Sequence, residues 1–203
     1  MNKKTFLILG IIIVILALLV GYQLFMSRKA TDAGGQTTQQ AVHSKDFGIS
    51  FTYPMGNDGF TLIEPNGGDK GMLKAYLMLP TTEYDSYKNG DDSDAPAGMN
   101  VFVFALQDAT ATSSETDTRI SELQNWAADN NTLTQFKQAK NTPDVVELDG
   151  IKGLHYQAQG LYQQDVYLVS YKSRVYMMVG HYDKQTDHTY TAFQDLIKTV
   201  SFE

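Results

Sequence analysis

The sequence predicts an α+β protein, an antiparallel sheet covered by helices and preceded by one transmembrane helix. Three observations predict it. Residues Phe6 to Met26 are uncharged and overwhelmingly apolar; several later segments alternate apolar and polar residues at the period of a half-buried strand; and two stretches repeat apolar residues at helical spacing. Composition agrees with this division. The 203 residues are 42% hydrophobic and 19% charged, with a formal charge of -7, which excludes a disordered acidic tail and a polytopic membrane protein. Cysteine is absent, which excludes disulfides, thiolate metal sites, cysteine nucleophiles and lipid attachment through a thiol.

The first element follows from length. At a rise of about 1.5 Å per residue, Phe6 to Met26 spans roughly 30 Å, the hydrocarbon thickness of a bilayer. A cleaved signal peptide competes with this reading, since Lys3 and Lys4 supply a basic start. Such a signal has an apolar region of about 7 to 15 residues and small residues at the cut. Here the run is longer, and Ala33 is the best cleavage position after it, so the helix reads as a retained anchor. Lys3 and Lys4 on one side balance Arg28 and Lys29 on the other. The short leading tail and the long following domain therefore decide the orientation: residues 1–5 cytoplasmic, the domain extracytoplasmic. The opposite orientation would hang the domain in the cytoplasm.

Residues 27–43 read as a linker. Within it, Ala30 to Val42 (ATDAGGQTTQQAV) has no aromatic residue and is rich in Gly, Thr and Gln, too polar to form a core. The globular domain is then 44–203. It holds twelve Lys and Arg against twenty-two Asp and Glu, a charge of -10, which argues against nucleic acid and anionic lipid as partners.

Within the domain, Phe47 to Tyr53 places Phe47, Ile49, Phe51 and Tyr53 on one face of a strand that Pro54 is expected to stop. Gly59 to Ile63 and Gly71 to Leu79 read as further strands, the latter with Leu73, Ala75, Leu77 and Leu79 on one face. Met99 to Leu106 is apolar on both faces, as a central strand must be. A helix follows, with Ile120, Leu123, Trp126 and Ala127 at helical spacing after the capping residues Thr116 and Asp117. Asp144 to Leu148, Gly153 to Gln159, Asp165 to Tyr171 and Arg174 to Tyr182 are four more strands. Short turns at Asp149-Gly150 and Lys172-Ser173 make hairpins of two of the links. A last helix carries Tyr190, Phe193, Ile197 and Val200 on one stripe, with Asp187 as its cap.

The opening Phe47-Gly48-Ile49-Ser50-Phe51-Thr52-Tyr53-Pro54 resembles the first strand of PsbP-like domains. So do the central helix with Leu123 and Trp126 and the ending Phe193-Gln194-Asp195-Leu196-Ile197-Lys198-Thr199-Val200-Ser201-Phe202. Many such domains have a tryptophan soon after the Tyr-Pro pair, where this chain has Met55-Gly56-Asn57-Asp58-Gly59-Phe60. The resemblance implies an α/β/α sandwich, shared with a Ran-binding nuclear import factor. It also implies a binding or assembly module attached to a membrane complex, with no catalytic residues or cofactor to carry over.

Motifs for chemistry are sparse. No nucleophile elbow, phosphate-cradling loop, dinucleotide fingerprint or paired-histidine zinc motif occurs, so no enzyme and no cofactor are expected. Gly59-Phe60-Thr61-Leu62-Ile63-Glu64 matches a type IV pilin processing site but lacks the apolar helix that must follow it. His43, His155, His181 and His188 fit no zinc spacing, although His181 and His188 are near enough in sequence to meet. Asn89, Asp91, Asp92, Ser93 and Asp94 form an acidic loop. Asp91, Asp92 and Asp94 are the one candidate cation cluster, in a register that does not match an EF-hand, and a solvated loop is the favoured reading. Tyr156, Tyr162, Tyr167, Tyr171, Tyr176 and Tyr182 suit strands, or a surface for carbohydrate or peptide. The expected function is protein binding at the cell envelope, with a partner presenting a basic patch. The alternative is a sensor domain for a small ligand or cation at the cell surface.

Overall fold

The computed structural model describes residues 37–65, 71–90, 94–106 and 116–203. The expected membrane helix, Phe6 to Met26, lies outside them. Among the described residues no helix is long and apolar enough to cross a membrane. Residues 37–203 form one compact unit.

Ten strands make one sheet among the described residues. In chain order they are β1 (Thr38–Ser44), β2 (Ile49–Met55), β3 (Phe60–Ile63), β4 (Met72–Pro80), β5 (Met99–Ala105), β6 (Asp144–Leu148), β7 (Ile151–Gln159), β8 (Gln163–Tyr171), β9 (Arg174–Tyr182) and β10 (Ser201–Phe202). The helices are α1 (Thr81–Asn89), α2 (Thr116–Asp129), the single turn α3 (Asn131–Thr134) and α4 (His188–Thr199). The spatial order is β1-β2-β3-β4-β5-β9-β8-β7-β6, with β10 pairing β2. All pairings are antiparallel except β2 with β3. This is the mixed α+β architecture the alternation predicts.

The period-two pattern builds two cores. On β9, Tyr176 and Met178 enter one cluster with Phe51, Phe193 and Leu196, while Val175, Met177 and Val179 enter another with Leu123, Ala127 and Leu168. α4 packs on β2 and β9, and α2 packs on β7 and β8. Trp126 belongs to the second cluster, its ring 5.2 Å from that of Phe104, which is the packing role expected of it. Both expected hairpin turns form. Asp149-Gly150 and Lys172-Ser173 each place two consecutive residues at positive φ, the twist that tight antiparallel hairpins need.

Several expectations need correction. The linker ends earlier than Val42 and His43, because Thr38 to Ser44 is strand β1, paired with β2 along its whole length. Polar composition hid it: an edge strand buries little, and this one is mostly exposed. Pro54 does not stop β2, which runs on to Met55. Proline lacks only the N–H, and between the β10 pairs at Ile49 and Ser50 and the β3 pair at Met55, no second strand asks for that donor.

On β4 Tyr76 and Met78 lie in the core, Ala75 on the expected face is buried as well, and Leu73 is 43% exposed. A bulge between Met72 and Lys74 shifts the alternation there. Helix α1 has no buried residue, so it carries no apolar stripe for a period to reveal. Helix α2 already includes Thr116 and Asp117. Asp187 stands at the N-cap of α4 but makes no side-chain cap bond; its Oδ2 accepts from the N–H of Asp183 and of Lys184 at 3.0 and 2.8 Å instead.

Candidate functional site

The β1–β2 ribbon joins the rest of the sheet's first half at a corner. Met55 with Phe60 is the single residue pair between β2 and β3. Beyond it the ribbon lies across β4: the Tyr76 hydroxyl donates to Ser44 Oγ at 2.6 Å, and the Phe51 ring meets the Tyr76 ring edge-on at 5.6 Å. The ribbon and the β3–β4 pair enclose an open groove of about 860 Å³, lined by Gln40, Val42, Tyr53, Met55, Leu62, Glu64, Lys74 and Tyr76 among others.

Charge sits at two places in this lining, Lys45 with Asp46 just after β1 and Lys74 with Glu64. Lys74 Nζ lies 2.7 Å from Glu64 Oε2 and 5.2 Å from the centroid of the Tyr76 ring. Glu64 is the more open partner, its side chain 47% exposed against 21% for Lys74. An ion pair this open contributes at most about 1 kcal/mol to stability, so its carboxylate is available to other cations. Burial, and then the charge of Glu64, raise the Tyr53 hydroxyl above the ordinary phenol value. Tyr53 is therefore a neutral hydroxyl at physiological pH. The groove thus offers apolar walls and a half-open carboxylate beside β1, the end strand of the sheet among the described residues.

A second polar group lies inside the fold. Asp165 on β8 is 2% exposed. Its Oδ1 is 2.6 Å from His155 Nε2 on β7, and its Oδ2 accepts from Gln194 Nε2 on α4 at 2.6 Å. Facing a carboxylate, which only accepts, His155 Nε2 carries the hydrogen. The His155 ring stacks on Tyr167 at 4.4 Å, and Tyr182 packs edge-on against Tyr190 at 4.8 Å. Burial first and the Asp165 charge second push the Tyr167 and Tyr182 hydroxyls up to about 12.

An aspartate orienting a histidine is also half of a hydrolytic triad. Here, though, the second carboxylate oxygen is committed to Gln194, and none of these residues lines the groove. The arrangement fastens α4 to the sheet.

Other residues singled out in the sequence fall apart in space. Asp91 and Asp92 lie outside the described residues, and Asp94 is exposed. Among the described residues no group of three or more His, Asp or Glu is placed to hold a metal ion. His43 is on β1. His181 Nδ1 is 3.4 Å from Asn100 Nδ2, and His188 stacks on Phe60 at 5.3 Å. Tyr156, Tyr176 and Tyr182 are buried rather than arrayed on a surface. Tyr156 and Tyr176 donate to the carbonyls of Thr134 and Phe47, each at 2.8 Å. Sequence reading missed the groove. Its one local signal was Lys74, a charge inside an otherwise apolar strand.

No family model and no curated protein matches the chain. The solution structure of cyanobacterial PsbP (CyanoP) from Synechocystis sp. PCC 6803 is similar, with a TM-score of 0.50 at 15% identity over 84% of this chain and 96% of that one. A crystal structure from Bacteroides thetaiotaomicron gives a TM-score of 0.44 at 11% identity over 81% of this chain, which spans about half, 48%, of that one. At these identities the first comparison supports the fold alone: residues 37–203 have a PsbP-like fold.

Proposed function

We propose that this chain is a single-pass, membrane-anchored, extracytoplasmic binding module that acts through protein–protein contacts and performs no chemistry of its own. The observation that carries this reading is the open groove beside β1, which pairs with no second strand among the described residues, a surface suited to holding another chain. Two sequence features support the setting. The apolar, uncharged run from Phe6 to Met26 has the length of a bilayer span. The charge of -10 on residues 44–203 steers basic partners and repels acidic ones. The partner is accordingly an envelope or membrane protein that presents a basic patch. The PsbP-like fold is compatible with this role and does not assign it.

Crosslinking in native membranes tests the proposal. A photo-reactive residue at Gln40 or Leu62, on the groove, should trap a membrane-associated protein of basic surface, and one at Lys137, far from it in sequence and exposed, should not. Recovery of the domain free of any protein from both positions, or turnover of a small molecule by the pure protein, would overturn the reading.

A further inference from the structure

Strand β1 is an edge without protection. It stands at the end of the sheet order, and all seven of its residues pair with β2 in unbroken register, leaving the backbone groups of its other side without a strand among the described residues. Natural edges are blunted by charge, proline, bulges or shortness, because a bare edge recruits another strand. The residues of β1, Thr-Gln-Gln-Ala-Val-His-Ser, include no Lys, Arg, Asp, Glu or Pro. The opposite edge, β6, has only five residues and carries Asp144 and Glu147. The contrast lies between two edges of one sheet.

What lies below β1 makes the edge specific. Gln40, Val42 and Ser44 pair across with Tyr53, Phe51 and Ile49, so their side chains share the inward face. A strand added outside β1, at the usual spacing of about 4.8 Å, would turn every second side chain toward the same groove. There it would meet Leu62 and Met55, the latter 40% exposed. The half-open Glu64 carboxylate is the only acid other than Asp46 among the described lining residues, and with its side chain 47% exposed it can take a second cation beside Lys74.

We propose that β1 and the groove beneath it accept an extended segment of the partner protein as an added strand, apolar at alternate positions and carrying a Lys or Arg that reaches Glu64. This deepens the protein-binding reading and rests on it. A second copy of this chain is the poorer occupant. Its own β1 brings no cation to Glu64, and its domain brings a further charge of -10.

The test uses the full chain in detergent or nanodiscs and, as probe, a displayed library of random heptapeptides. Selected peptides should alternate apolar residues with Lys or Arg and should slow hydrogen exchange in residues 38–44. They should bind Glu64→Gln about tenfold more weakly, the loss of one charge-assisted hydrogen bond. Gln40→Lys, an exposed position that puts a cation over the groove, should abolish binding. No enrichment, or protection confined to other strands, would overturn strand addition. So would a disulfide-linked dimer of Ala41→Cys, a unique thiol in this chain, since it would hand the edge to a second copy. The two proposals fail separately. An envelope protein trapped by crosslinks with no peptide selected would retain the binding module and remove strand addition. Peptides protecting β1 with no envelope protein trapped would keep β1 as a strand acceptor and remove the envelope protein as its partner.

Discussion

Asp165 shows how one buried charge organises its surroundings. Both of its oxygens are occupied, by His155 Nε2 and Gln194 Nε2 at 2.6 Å each. Truncation therefore costs more than the bonds themselves, because two half-buried polar groups lose their partner. Asp165→Ala should lower unfolding free energy by about 1–3 kcal/mol for each donor left unsatisfied. Urea denaturation of residues 37–203 checks it, and a loss below about 0.5 kcal/mol would mean water replaces the carboxylate. The tyrosines around Asp165 give a second test. Their folded-state hydroxyl values, about 12 for Tyr167 and Tyr182, lie above the unfolded value of about 10. Stability from this source is complete below pH of about 10 and is lost as pH rises through about 12, since only the unfolded chain releases those protons early. His181 acts on the other side. Burial lowers its value in the fold, partly offset by a hydrogen bond with the Gly98 backbone. Its contribution is present above the unfolded value of about 6.5 and fades as pH falls below it. His181→Gln should flatten the acid limb of a stability–pH curve below about pH 6.5 and leave the alkaline limb unchanged; an unaltered acid limb would remove His181 from the account.

Between helix and sheet, α4 approaches β9 closely at Gly180. A Cβ built on Gly180 would lie 2.5 Å from the Phe193 ring, so the absence of a side chain on the strand is what lets the helix settle there. Gly180→Ala should cost about 1–3 kcal/mol by overpacking. Adding Phe193→Leu should recover part of that loss, a coupling that chemical denaturation of the two single variants and the double variant measures directly. Additive losses would show that ring and glycine do not meet in solution. Which elements were legible in the sequence follows from the same packing. Strands β5 and β9 and helix α4 bury one or both faces, so their periods are imposed by the core and could be read. Helix α1 and strand β1 bury almost nothing, and no period marks them. Strand β4 buries Ala75 on one face and Tyr76 and Met78 on the other, so its spacing marks no single inward face, and the bulge beside the exposed Leu73 is a property of pairing, invisible to spacing along one chain. The groove was missed for a related reason: Tyr53, Leu62 and Lys74 come from three strands and Glu64 from the residue after β3, and pairing across the sheet, not spacing along the chain, brings them together.

At the scale of the whole molecule, charge and tethering act together. From Met26 to Thr38 the chain has eleven intervening residues, a reach of no more than about 40 Å even fully extended. If Phe6 to Met26 spans the membrane as proposed, the module searches for its partner in a thin layer above the bilayer, at high effective concentration. There its charge of -10 raises the rate of encounter with a basic surface, and the added strand then sets how long the complex lasts. These two contributions separate in kinetics. Long-range steering is screened over about 10 Å at 0.1 M salt and about 3 Å at 1 M, whereas backbone hydrogen bonds along β1 respond little to salt. With the crosslinked partner immobilised and residues 37–203 in solution, association should slow about tenfold or more between low and high salt. Dissociation should change by no more than about twofold, because strand pairing and apolar contacts hold the complex once formed. Gln40→Lys should invert the pattern, leaving association close to that of the unaltered domain and accelerating dissociation. A salt effect carried wholly by dissociation would place the partner's cations in direct ion pairs across the interface, and the acidic surface would then be part of the contact itself rather than a guide toward it.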